Sequence, residues 1–136
     1  MQQQLIQMAL LVRDYDEAIA FYTQKLQFVL LEDTLLSETK RWVRIAPKGS
    51  EGACLLLAQA VTEEQKQAVG NQAGGRVFLF LHTDDFDRDY QNLQNQAITI
   101  VRKPMKQPYG TVAVFADLYG NLWDMIGPSS QDYSVS

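Results

Sequence analysis

The sequence predicts an α+β fold: two βαβββ modules whose strands form a curved mixed sheet, a half-barrel, with the helices on its convex face. Three observations predict it. The stretch from Met8 to Leu26 can be laid over the stretch from Leu79 to Ala97 with large apolar groups kept in step. In each stretch an apolar run of strand character ends at an acidic residue, and a helix with one apolar stripe follows. After each helix come three short apolar segments separated by turn residues.

The overlay sets Asp14 on Asp85, Tyr15 on Phe86, Asp16 on Asp87, Ile19 on Tyr90 and Tyr22 on Leu93. Asp14 and Asp85 are the expected N-caps, because a carboxylate there accepts from orphan amides and sits at the positive end of the helix dipole. The first helix is expected from about Tyr15 to Leu26 and the second from about Phe86 to Gln96. The strands of the first module are then Phe28 to Glu32, Arg41 to Ala46 and Cys54 to Gln59, with a turn at Lys48-Gly49-Ser50-Glu51-Gly52. Those of the second are Ile98 to Arg102, Thr111 to Phe115 and Leu122 to Ile126, with turns at Lys103-Pro104 and Leu118-Tyr119-Gly120-Asn121.

Between the modules, Val61 to Asn71 reads as a short helix capped by Thr62 and ended by Gly70-Asn71. Module 1 therefore spans about 4–60, the connector 61–74 and module 2 about 75–127, together one domain over 1–128, followed by a C-terminal tail at 129–136. A module of under about 70 residues is too small for a stable core of its own, so the two sheets are expected to pack or join.

At 136 residues with 21% charged side chains, the chain has the composition of one globular domain. A net charge of −4 with scattered basic residues gives no footprint for nucleic acid or an anionic membrane surface. No basic leader precedes an apolar segment, and no run approaches the roughly 18 apolar residues of a membrane span, so a cytoplasmic protein is expected. The single cysteine, Cys54, excludes an internal disulfide and reads as a buried structural thiol.

Two segments carry a resemblance to a known family: VRDYDEAIAFYTQKLQF, beginning at Val12, and FADLYGNLWDMI, from Phe115 to Ile126. Together with the doubled module they resemble the vicinal oxygen chelate superfamily, which holds glyoxalases, bleomycin resistance proteins and extradiol dioxygenases. The likeness covers roughly Leu5 to Pro128, and LHTDDF, GTVAVFADLYGNLWD and VGNQAGGRVF look like a common bacterial branch of it. One departure is conformational. The family usually has Gly after each helix, where this chain has Gln27 and Ala97; a non-Gly residue in the left-handed conformation costs about 1 kcal/mol.

The resemblance also implies where a metal would sit. In metal-dependent members four ligands, usually His and Glu, come from the first and last strands of the two modules. The corresponding positions are Gln7, Leu56, Phe78 and Asp124. Two of these cannot bind an ion, and an amide with one carboxylate is too little for a catalytic transition metal. No metal and no cofactor is therefore expected.

His82, the only histidine, lies on the strand face of Phe78 but about 13 Å along it. It is expected as a rim or hydrogen-bonding group, with catalysis the alternative because imidazole titrates near neutrality. Asp124, between Trp123 and Met125, points away from both and into the concavity. It reads either as a solvated or salt-bridged remnant, or as a ligand anchor or general acid and base, the best catalytic candidate in the chain. Without a cation it should have a raised pKa unless Arg41, Arg44 or the Gln7 amide reaches it. Strand alternation adds Trp42, Arg44 and Phe80 to the same lining, either as a ligand site or as filling for the space of a lost metal. The Tyr109-Gly110 loop and the tail from Ser129 are candidates to cover its opening.

Three possibilities follow. The first is a metal-independent protein that binds an apolar or aromatic small molecule, as the resistance proteins of the resembled family do, generally as homodimers. The second is a metal-dependent lyase or dioxygenase, like lactoylglutathione lyase, with a divalent metal and a non-standard or intersubunit ligand set. A scaffold without a ligand is the third possibility.

Overall fold

The expected repeat is present, and each copy builds its own sheet. The computed structural model describes residues 1–133, so the last part of the expected tail, 134–136, lies outside the described residues. The chain divides into two units at Val69 and Gly70. The first contains β1 (Gln7–Val12), α1 (Tyr15–Ala20) running into a π-helical turn (Phe21–Lys25), β2 (Val29–Leu35), β3 (Arg41–Ala46), β4 (Cys54–Gln59) and α2 (Glu63–Ala68). The second contains β5 (Val77–His82), α3 (Phe86–Asn95), β6 (Ile100–Gln107), β7 (Gly110–Ala116) and β8 (Leu122–Gly127). The strand orders are β1-β4-β3-β2 and β5-β8-β7-β6. In both, the first and last strands of the module run parallel and the other pairings are antiparallel. The class is α+β, with two mixed four-stranded sheets that do not close.

The caps explain where the helices begin. Asp14 accepts from the Glu17 amide at 3.0 Å and Asp85 from the Arg88 amide at 3.1 Å. Thr62 and Gln65 form a reciprocal capping box that starts α2. The helix ends are held in the left-handed conformation at Gln27 (φ 62) and Ala97 (φ 56), so the chain tolerates the strain that Gly would relieve. Behind α3 this makes a Schellman arrangement, with Ile98 N–H donating to the Leu93 carbonyl and Ala97 N–H to that of Gln94. The path from cap to Phe28 is one residue longer than the path from cap to Ile98, as their numbering shows. The π-helical turn takes up that extra residue, and Phe28 N–H reaches the Tyr22 carbonyl at 2.8 Å.

Strand alternation then divides each sheet into two faces. In the first unit Leu10, Val12, Val43, Ile45, Leu55 and Leu57 are buried, and α1 packs on β3 and β4. In the second the corresponding face is Ala113, Phe115, Trp123 and Met125, with Phe86 and Leu93 of α3. The helix-covered face predicted for Val43 and Ile45 is thus the core face.

One expected turn is not a turn. Lys103-Pro104 lies inside β6, whose register on β7 breaks on both sides of Arg102. β6 is a sheet edge, where proline removes no needed ladder donor and bulges are tolerated. The reversal comes later, at Pro108-Tyr109, between the paired residues Gln107 and Gly110.

The described part of the tail folds onto α3. Asp87 accepts from the Ser129 hydroxyl at 2.6 Å, the Ser130 amide at 2.9 Å and the Tyr133 hydroxyl at 2.8 Å. The Tyr133 ring meets Phe86 edge-on at 5.6 Å. These donors, Ser129 first, pull the Asp87 pKa down to about 2. Burial, and then the bond to Asp87, push the Tyr133 phenol up to about 12.

Candidate functional site

The faces opposite the helices carry the chemistry, and the strand registers align their side chains in rows. In the first sheet Ala9 pairs with Leu56, Leu56 with Arg44, and Arg44 with Glu32. The second sheet repeats the row as Phe80, Asp124, Val114 and Arg102. Partners in register point to the same face, so each row crosses one sheet from edge to edge.

The first row is internally satisfied. Arg44 Nε donates to Glu32 Oε1 at 3.0 Å and its Nη1 to Cys54 Sγ at 3.7 Å; the thiol in turn donates to Gln7 Oε1 at 3.8 Å. The Cys54 contact, then Glu32, holds the Arg44 pKa above its ordinary value. Gln7 is therefore beside Cys54, its register partner. Leu56 sits half-buried between Ala9 and Arg44, and Trp42 is paired with Thr34 on β2.

The second row is not satisfied. Asp124 is half-buried, and its Oδ1 is buried with no hydrogen-bond partner among the described residues. Burial pushes its pKa up, opposed by the charge of Arg102. On one side of Asp124 stands Phe80, a ring left 72% exposed; on the other is the buried Val114. His82 is exposed at the end of β5 and pairs with Ile126. Phe78 falls where the β5 register shifts. With Gly70, Gly120 and Asn121 it lines a recess of about 20 Å³, room for about one water molecule.

The cation whose charge acts on Asp124 is therefore not one of those expected. Arg41 is engaged by Asp33 at 2.6 Å and Asp16 at 2.9 Å, and Arg44 by Glu32 and Cys54. Arg102 is not evident from sequence alone because Lys103-Pro104 reads as the end of its strand. The signal that would have found it is the repeat itself, since Arg102 stands where the first module has Glu32. The acid of the FADLYGN segment is also explained: Asp117 Oδ1 accepts from the amides of Tyr119, Gly120 and Asn121 at 2.9–3.0 Å, shaping the β7–β8 turn.

The positions that the resemblance gives for metal ligands do not fit a divalent transition ion in either sheet. Leu56 and Phe78 offer no lone pair, Gln7 Oε1 already accepts from a thiol, and Asp124 leaves a single carboxylate. Among the described residues no three His, Cys, Asp or Glu side chains are grouped as a metal site would require.

A sequence profile of the Glyoxalase/Bleomycin resistance protein/Dioxygenase superfamily matches residues 4–125. The chain belongs to that superfamily. A superfamily relative in Shewanella frigidimarina, described only as an uncharacterized protein, is 60% identical over 93% of this chain and 94% of its own. Among solved structures, UcmS2 is 30% identical with a TM-score of 0.81, covering 93% of this chain and 98% of that one. TnmS3, an antibiotic binding protein from Streptomyces sp. CB03234, is 29% identical with a TM-score of 0.76, covering 95% and 99%. Among the described residues no helix is long and apolar enough to cross a membrane.

Proposed function

We propose that this superfamily member is a metal-independent small-molecule-binding protein, taking an apolar or aromatic ligand at the sheet face opposite the helices. One observation carries the reading: a 72% exposed aromatic ring, Phe80, stands in register beside a carboxylate with an orphan oxygen. An exposed ring offers stacking area, and an orphan acceptor is relieved by a ligand's donor. The likeness to TnmS3, an antibiotic binding protein, supports it. On the second sheet the proposed contacts are Phe78, Phe80, His82 and Asp124; on the first, taken by itself, they are Gln7, Trp42, Arg44 and Leu56. A cytoplasmic homodimer is the proposed form. The exposed Leu30, Leu31 and Leu35 of the edge strand β2 support pairing between copies.

The test is a thermal-shift screen of chelator-treated protein against planar aromatic and antibiotic-like compounds. A ligand at about a hundred times its Kd adds roughly 2.7 kcal/mol to the folded state, a clear rise in Tm. A rise that appears only after nickel, zinc, iron or manganese is restored would overturn the metal-free reading in favour of a lyase or dioxygenase.

A further inference from the structure

The two rows hold opposite charges in different ways. In the first, acid and cation are neighbours and close on each other at 3.0 Å. In the second, Val114 stands between Asp124 and Arg102, so the two charges share a face two strands apart, about 10 Å between backbones. Arg102 is exposed, and no carboxylate pairs with it among the described residues. Its charge is nevertheless felt at Asp124. An acceptor and a cation thus lie in one row across the sheet without meeting.

We infer that this face of the second sheet recognises an aromatic zwitterion, with its ammonium on Asp124, its carboxylate on Arg102 and its ring against Phe80. The inference rests on the small-molecule reading above and gives it a ligand class. Each part answers a separate feature. The orphan Oδ1 of Asp124 needs a donor, and an ammonium supplies one with charge. The Arg102 guanidinium is a fork shaped for a carboxylate. Phe80 is the register neighbour of Asp124, so an ammonium bound there can also lie over the ring face, which favours a cation over a neutral amide. A ligand with only one charge leaves the other half of the row as it is now. The first sheet has no equivalent, because its arginine and glutamate are already paired.

Nuclear magnetic resonance titration of the ¹⁵N-labelled full chain tests this with three matched probes: phenylalanine, phenethylamine and phenylacetate. Phenylalanine should bind about tenfold more tightly than either single-charge probe, shifting the amides of Phe80, Arg102, Val114 and Asp124. Asp124→Asn should weaken phenylalanine and phenethylamine but leave phenylacetate unchanged, and Arg102→Gln should weaken phenylalanine and phenylacetate but leave phenethylamine unchanged. Equal binding of the three probes, or indifference to both substitutions, would overturn the inference. If uncharged planar aromatics still raise the Tm while phenylalanine does not bind, the zwitterion falls and the binding function stands; if no aromatic binds at all, both fall.

Discussion

In the first module Leu56, Arg44 and Glu32 stand where the second has Asp124, Val114 and Arg102, on strands with the same order and the same pairing sense. The first module ends with its charges paired and its thiol and amide bonded; the second ends with an orphan carboxylate oxygen beside an exposed ring. The duplication keeps what the backbone needs, which is the capping aspartates, the buried alternation and the left-handed helix ends. It does not keep the side chains on the face opposite the helices. Chemistry is thus free to differ between modules at little cost to the scaffold, and the unsatisfied module is where a ligand has something to gain.

The core positions should respond alike. Leu57 and Met125 occupy matching places on β4 and β8, and both are buried almost completely. Truncation of either to alanine should cost about 2–5 kcal/mol in denaturant unfolding. A cost below about 1 kcal/mol at one of them would break the equivalence of the two cores.

The rows opposite the helices should respond differently. Because burial raises the Asp124 pKa, the folded chain holds that proton more tightly than the unfolded chain does. Stability therefore falls as pH rises from the ordinary carboxylate value near 3.8 through the raised folded value. Asp124→Asn should remove that slope and stabilise the ligand-free protein at neutral pH by roughly 1 kcal/mol, allowing for partial exposure. A destabilised Asp124→Asn protein would show that the carboxylate has a partner, and a slope left intact would mean that another group sets it.

A smaller effect should again be common to both halves. Gln27→Gly and Ala97→Gly should each be neutral or stabilising, by up to about 1 kcal/mol, since each relieves a left-handed residue at a helix end. Clear destabilisation at Gln27 alone would mean that the π-helical turn sets that end by some other constraint.

The matching aspartates Asp16 and Asp87 give the last contrast. Arg41 holds Asp16, while the tail holds Asp87. With a folded pKa of about 2, Asp87 should keep the tail on α3 as pH falls past 3.8 and release it only as pH nears 2. The Ser130 amide proton reports this directly, and its release near pH 4 would show that the carboxylate is not clamped.

Much of this was legible in the chain. The repeat, the caps at Asp14, Asp85 and Thr62, and the strands Arg41–Ala46 and Cys54–Gln59 follow from periodicity and local side-chain hydrogen bonding, which act within a few residues. What was not legible depended on neighbours in the sheet. Pro104 reads as a turn until β6 is known to be an edge strand. Arg102 joins the row of Asp124 only through two irregularities of register, and Arg44 is engaged within its own sheet because Glu32 and Cys54 lie across from it. Register is a property of pairs of strands, so a single strand's sequence carries little of it.

Calorimetric titration of chelator-treated protein with the best aromatic compound from the thermal screen, carried out on the wild-type chain and on Asp124→Asn, tests ligand binding without a metal most directly. The expected result is saturable binding that the chelator leaves unchanged and the substitution weakens about tenfold. Binding that vanishes with the chelator and returns with a divalent metal would contradict the account.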